Sequence, residues 1–300
     1  MKVAARPLVA LVIMSLMWGY GWVSMKIGLL DAEPFTFTAL RMSLSALVLL
    51  LALPLSGRRF LPTRIPELLK LGLVQTTLLF TLSTLAVHEG SAGRVAFLVY
   101  TMPFFTLAMA WPILGERISG LQWPAVALAL IGIAAIIQPW QLGGDIYGNA
   151  LAIGAGATWA LGAIMIKQLQ QRAPMDFISM TAWQMGFGCL PLIAIAAVIP
   201  EAPIVWSGRF IGNLILLTVF ISGMGWALWV YALNNLSAGT ASLATLAAPV
   251  VAIFASSYHF GEQPTNAELM GMLLITVALL VLSLNGMRAL KRTPVTAGEY

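Results

Sequence analysis

Apolar stretches of about twenty residues, the length that crosses a bilayer, follow one another along nearly the whole chain with short polar joins between them. The pattern predicts ten spans, at 8–28, 35–53, 68–87, 92–114, 121–138, 148–168, 177–199, 210–232, 239–260 and 267–287. Gly and Pro punctuate several joins: Pro54, Gly57 and Pro62; Gly143 and Gly144; Pro200 and Pro203. These residues end or kink helices. The joins leave no room for a soluble domain, so the spans are expected to form one helical bundle.

One stretch occurs twice. It begins Ser91-Ala92-Gly93, carries Pro103 inside an apolar run and ends Gly115-Glu116. It returns as Ser237-Ala238-Gly239, Pro249 and Gly261-Glu262, shifted by 146 positions (237 − 91). A mid-span proline removes a backbone donor and breaks the helix. The carbonyls of Val99 and Thr245, four residues before each proline, are expected to be open to a substrate ammonium, a water or a neighbouring Ser or Thr. The first span recurs as well. Trp18, Gly21 and Lys26 match Trp159, Gly162 and Lys167 at an offset of 141 (159 − 18). Five spans per half is an odd number, so the second half enters the membrane inverted. The expected division is 1–143 and 144–290, with a tail at 291–300. Broken helices at matching places in inverted halves point to a transport site.

Composition agrees with this picture. The chain is 60% hydrophobic and 9% charged, with mean hydropathy +0.90, where a soluble domain carries about 25% charged residues. The single Cys189 allows no internal disulfide. No phosphate-binding loop, His-Glu-x-x-His, Cys/His cluster or Gly-x-Ser-x-Gly occurs. The expectation is therefore neither an enzyme nor a metal or cofactor protein. The first apolar run, from Leu8, is full length and lacks a cleavage site, so it reads as a span rather than a signal peptide. With the N-terminus in the cytoplasm, 12 of the 16 Lys and Arg fall at inner ends and loops, which favours cytoplasmic N- and C-termini. The net charge of +5 sits at helix ends and gives no nucleic-acid signal. All eleven acids lie in loops, tails or last turns. A proton-driven pump usually keeps an ionisable group inside the membrane, so downhill, facilitative movement is expected.

Several side chains are candidates for a cavity lining. The third span carries Gln75, Thr76, Thr77, Thr81, Ser83 and Thr84, which need protein or water partners unless the hydroxyls bond back to their own helix. The eighth carries Ser222, Gly223, Gly225 and Trp226, where glycines make room for a ring. Trp229 and Tyr231 read as an interfacial belt. Trp18 and Trp159 are deep and related by the repeat. Tyr100 precedes one proline; Ser242 and Thr245 precede the other. Lys26 and Lys167 are expected to snorkel to opposite surfaces. Arg41, a charge costing roughly 2.5–3.5 kcal/mol at mid-membrane and less near the surface, is expected to pair with Asp31, Glu33 or Glu89 in a structural role. His88 and His259 lie at span ends and read as interfacial. Ser15/Gly19, Ser24/Gly28 and Ala152/Gly156 suit close helix packing.

As a set, Trp18-Gly19…Lys26, Pro34…Leu40-Arg41 and Pro103…Gly115-Glu116-Arg117 followed by Gln122-Trp123 resemble the EamA-type transporters of the drug/metabolite transporter superfamily. The resemblance covers about 8–287; Gln263 stands where the first copy has Arg117. It implies an all-α membrane protein of ten helices, in two inverted five-helix repeats around a central cavity. It further implies alternating access and export of metabolites across the bacterial inner membrane. The lining looks most similar to that of the aromatic amino-acid exporters. The expected partners are small amino acids or related metabolites and the lipid bilayer, with no obligate protein partner. The expected substrate-binding set is Trp18, Gln75, Thr76, Tyr100, Trp159, Trp226, Ser242 and Thr245, with Pro103 and Pro249 as helix breaks. Lacking deep charges, it would meet an amino acid's ammonium and carboxylate with backbone groups and Gln75, Ser242 or Thr245. The alternative is a multidrug or other small-metabolite exporter, since aromatic cavities also bind cations.

Overall fold

The computed structural model describes residues 5–118, 120–139, 145–235 and 247–292, and among these the regular structure is helical. The helices are α1 (Ala5–Gly28), α2 (Pro34–Leu55), α3 (Ile65–Gly72), α4 (Leu79–Glu89), α5 (Ala92–Val99), α6 (Met102–Leu114) and α7 (Gln122–Ile137). The second half adds α8 (Ile146–Arg172), α9 (Phe177–Val198), α10 (Gly208–Ile215), α11 (Gly225–Asn235), α12 (Ala247–Phe260) and α13 (Asn266–Arg292). Eight helical stretches are long and apolar enough to cross a membrane, and two shorter apolar helices, Gln122–Ile137 and Ala247–Phe260, bring the number to ten.

Local chemistry sets several starts. Ser91, Asp145, Asp176 and Ser207 each accept a hydrogen bond from the backbone N–H three residues on, capping α5, α8, α9 and α10. Such a cap satisfies one of the four donors a helix start leaves open.

The break predicted in the fourth span is present. α5 stops at Val99 and α6 starts at Met102, with Pro103 in its first turn, where a missing N–H costs nothing. The hydroxyl of Thr101 donates to the Leu98 carbonyl at the break. The Val99 carbonyl faces α8, 3.1 Å from where a Cβ at Gly156 would sit. Pro249 lies in α12, two residues after the first described residue of that helix. The residues before it, with Ser242 and Thr245, lie outside the described residues.

The third helix of each half holds a feature the apolar pattern did not reveal. Between α3 and α4 the backbone winds as a π-helix over Leu73–Leu78, and between α10 and α11 over Leu216–Met224. Adding the repeat offset of 146 to 73–78 gives 219–224, inside the second π segment. π turns inside α-helices gather at functional sites. The second helices correspond too. α2 and α9 have 22 residues each at an offset of 143 (177 − 34). Thr38 and Thr181, equivalent in that register, both bond the carbonyl four residues back.

Helices cross between halves: α2 packs on α9, α7 on α13, α1 on α12 and α4 on α8. At the α7–α13 crossing a Cβ on Gly132 would lie 2.7 Å from the Gly271 carbonyl oxygen, and one on Gly271 would lie 2.5 Å from that of Gly132. Backbone cannot yield as a side chain can. Gly132→Val is therefore expected to destabilise the protein by about 1–3 kcal/mol, as overpacking does, read as a lower melting temperature in detergent. An unchanged melting temperature would place that crossing elsewhere.

Candidate functional site

A cavity of about 450 Å³ lies where the halves meet. Its lining follows the repeat. At the 141 offset, Trp18 and Trp159, Trp22 and Ala163, and Met25 and Ile166 all line it. At the 146 offset, so do Gln75 and Ile221, Thr76 and Ser222, Phe80 and Trp226, and Ser83 and Trp229. At the 143 offset of the second helices, so do Arg41 and Gln184. Both π segments thus present their middle residues to one space, and equivalent positions of inverted halves face each other across it.

Of the expected set, Trp18, Gln75, Thr76, Tyr100, Trp159, Trp226 and Pro103 line this cavity. Pro249 is buried but is not part of the lining. The rings form two groups. Trp18 meets Trp226 edge-on at 5.4 Å and Trp229 at 6.0 Å, and Phe177 lies 5.7 Å from Trp226. Tyr100 meets Trp159 edge-on at 5.5 Å. Glycine makes the room: a Cβ at Gly225 would lie 2.6 Å from the Trp18 indole nitrogen, and one at Gly162 would lie 2.3 Å from the Gln75 side chain.

Two of the third-span hydroxyls turn to other helices. Thr77 Oγ1 donates to the Gly188 carbonyl at 2.7 Å, and Thr84 Oγ1 reaches the Met25 sulfur at 3.5 Å. Thr76 Oγ1, like the side-chain amide oxygen Oε1 of Gln184, is buried without a partner. Ser45 and Ser222, facing each other across α2 and the second π segment, share a hydrogen bond at 3.1 Å.

Three expectations need correction. Trp229 lines the cavity instead of an interfacial belt; the π segment before it turns less per residue than an α-helix and so changes the face on which the following residues emerge. The lysines do not simply snorkel. Lys26 pairs with Glu262 and Lys167 with Glu116. Each lysine ends the first span of one half and meets the Gly-Glu of the other half, so one bond is made twice across the inverted repeat. Arg41 does not pair with Asp31, Glu33 or Glu89. Asp31 is held by Arg209 at 2.9 Å. Nε and Nη1 of Arg41 have no hydrogen-bond partner, and its guanidinium lies 5.2 Å over the Phe80 ring in the cavity wall. The signal for the ion pairs was available in the sequence, since Trp-x-x-Gly-x-x-x-x-Lys and Gly-Glu each occur twice.

The two ends of the bundle differ. At the Lys26 end Glu262 also accepts from Ser91 at 2.7 Å and from Ser256, and Lys26 donates to the Gly90 carbonyl at 2.9 Å. Arg94 joins Asp145 at 2.8 Å and Glu268 at 3.5 Å beside it. Burial alone would raise the Glu262 carboxyl. The hydrogen bonds from Lys26, Ser256 and Ser91, with the Lys26 charge, outweigh it and hold the group below the usual carboxylate range. At the other end Lys167 and Glu116 are half exposed, 45% and 52%. The cavity reaches Phe177, the first residue of α9, at that end; Pro34, the equivalent residue at the Lys26 end, takes no part in the lining. The space is closed under Lys26–Glu262 and extends toward the Lys167 end.

The profile of the EamA-like transporter family matches residues 6–138 and again 146–284. The chain belongs to the EamA-like transporter family. It is similar to "Uncharacterized transporter YoaV" of Bacillus subtilis, with 26% identity over 278 residues, covering 90% of this chain and 94% of that protein. It is also similar to "Probable amino-acid metabolite efflux pump" of Salmonella typhimurium, with 26% identity over 274 residues, covering 88% and 90%. A solved structure shares the fold at TM-score 0.65 and 17% identity, over 95% of this chain and 99% of that one. The EamA-family protein is thus a multi-pass membrane transporter, not an enzyme, and a cavity of about 450 Å³ lies between its two halves.

Proposed function

We propose that this protein is a secondary carrier that exports amino acids, aromatic and other neutral ones, across the bacterial inner membrane by alternating access. The observation that carries the reading is the cavity itself. It is built from equivalent positions of two inverted halves and closed at one end by Lys26–Glu262. Inverted repeats around a central site support movement of one half against the other. The Trp18–Trp226–Trp229 and Tyr100–Trp159 groups offer flat apolar surface to a side chain. The name of the Salmonella typhimurium relative, a probable amino-acid metabolite efflux pump, supports the same reading. With both termini cytoplasmic, as the Lys and Arg bias favours, the Lys26 end faces outward and the cavity opens inward, ready to load an exporter.

Counterflow in proteoliposomes with a panel of unlabelled amino acids tests the proposal. Trp159→Ala removes the ring that meets Tyr100 and is expected to cut counterflow about tenfold or more, with Trp159→Phe retaining most of it. Counterflow blind to every amino acid overturns the reading. Exchange of cationic dyes alone would favour drug export instead.

Movement is proposed to run down the gradient. The described lining contains no carboxylate to carry a proton. A pH gradient imposed on the vesicles is therefore expected to leave the final internal amino-acid level at the external one. Accumulation above that level, driven by the pH gradient alone, would contradict this.

A further inference from the structure

Arg41 is a charge in the cavity without a counter-charge. It stands seven residues into α2 (41 − 34), about 10 Å along the helix at 1.5 Å per residue. It is only 6% exposed. Two of its three guanidinium nitrogens, Nε and Nη1, are buried without a hydrogen-bond partner, and its ring contact is Phe80. No Asp, Glu, Lys or His accompanies it in the described lining. Its equivalent in the inverted half is Gln184, which also faces the cavity with a buried, unpartnered amide oxygen.

A buried charge needs an opposite charge or a full set of hydrogen bonds. A guanidinium offers paired N–H donors in a flat fork that matches a carboxylate. We propose that Arg41 binds the carboxylate of the transported molecule. The cavity then selects small organic acids and zwitterions over the corresponding amides and amines. This rests on the reading of the cavity as the transport site, and it replaces backbone groups as the receptor of the charged head. The equivalent position in the other half is uncharged, so a carboxylate has one docking point rather than two and the substrate enters with a fixed orientation. The same charge repels cations, which separates this cavity from one built for cationic dyes.

The test is binding to the purified full-length protein, read by tryptophan fluorescence and by thermal shift. The panel holds L-phenylalanine and L-leucine, their carboxamides, the amines that lack the carboxylate, and 3-phenylpropionate, which lacks the ammonium. The proposal expects the carboxylates to bind and the amides and amines to bind about 10- to 150-fold more weakly, the worth of a charge-assisted hydrogen bond. Arg41→Gln, checked for an intact melting transition, removes that discrimination, and Arg41→Lys keeps part of it. The wild-type panel carries the test by itself if the glutamine variant does not fold. Amides that bind as tightly as acids overturn the proposal, as does a folded Arg41→Gln that still discriminates or a panel in which no carboxylate binds. Binding of 3-phenylpropionate without the amino acids supports the Arg41 site and overturns the amino-acid reading. Equal binding of amino acids and their amides overturns the Arg41 site and leaves the amino-acid reading standing.

Discussion

Replacing Glu262 by Gln is expected to open the closed end of the cavity. The Glu262 carboxylate draws together three elements: Lys26 from α1, Ser91 at the start of α5 and Ser256 on α12. Its pair with Lys26 is shielded, with side-chain exposures of 25% and 18%. Hydrogen bonds to a charged group contribute about 1.5–3 kcal/mol, which corresponds to a population shift of about 10- to 150-fold. Met25 lines the cavity directly beneath and is 3% exposed. A cysteine at Met25, in a Cys189→Ala background, is expected to react at least about tenfold faster with an impermeant maleimide from the Lys26 side once Glu262 is Gln. Lys26→Gln should do the same, and the double variant should cost less than the sum, because both remove one interaction. Glu116→Gln at the half-exposed pair should change accessibility by less than about fivefold, as surface pairs are worth up to about 1 kcal/mol. Equal effects at the two ends would contradict the asymmetry.

The same carboxylate sets a pH dependence. Its folded-state pKa is depressed below an ordinary value of 4.5, against the effect of burial, by its three donors and the Lys26 charge. The contribution of the pair is therefore complete above that ordinary value and lost as pH falls through the lower folded value. The labelling rate at position 25, divided by that of a free thiol at the same pH because only the thiolate reacts, should be flat from neutral pH down to about 5 and rise only below that.

Gly188→Val is expected to be more damaging still. A Cβ at Gly188 would lie 2.4 Å from the Gly72 carbonyl oxygen and 2.4 Å from Thr76 Cβ, and one at Gly72 would lie 2.4 Å from the Gln184 carbonyl oxygen. The crossing of α3 and its π segment with α9 is thus backbone against backbone on both sides. Thr77 bonds the Gly188 carbonyl at the same place. A valine forces the helices apart, breaks that bond and displaces Gln75 and Thr76 from the cavity. The expected loss is about 3 kcal/mol or more, seen as failure to recover folded protein or as a collapsed melting temperature. A folded Gly188→Val with normal counterflow would show that this crossing does not set the cavity wall.

Much of this architecture could be read from the chain because it is written twice. The apolar runs marked the spans, and the Trp18/Trp159 and Pro103/Pro249 matches marked the two halves and some of the positions that line the cavity. What could not be read is rotational. A helix apolar on all sides, such as α2 or α9, carries no stripe to say which face is inward. Arg41 therefore looked like a structural residue near a surface. The π segments escaped because they depend on carbonyls finding donors five residues on, which no apolar spacing records. They turn Trp229 inward against the expectation for a span-end ring. The Lys26–Glu262 and Lys167–Glu116 pairs join residues 236 and 51 positions apart. Only the recurrence of both partners hints at them. Ser242 and Thr245 lie outside the described residues, and their part in the site stays a proposal.

Two label pairs test the central claim most directly, read by double electron–electron resonance on the reconstituted protein. One joins Leu30 to Tyr258 at the Lys26 end; the other joins Ile113 to Gln171 at the Lys167 end, all four being exposed. A cavity shared by two inverted halves and opened from one side at a time predicts opposite changes. Glu262→Gln should lengthen the first distance and shorten the second within the same population. Two distances that stay fixed, or that lengthen together, would contradict it.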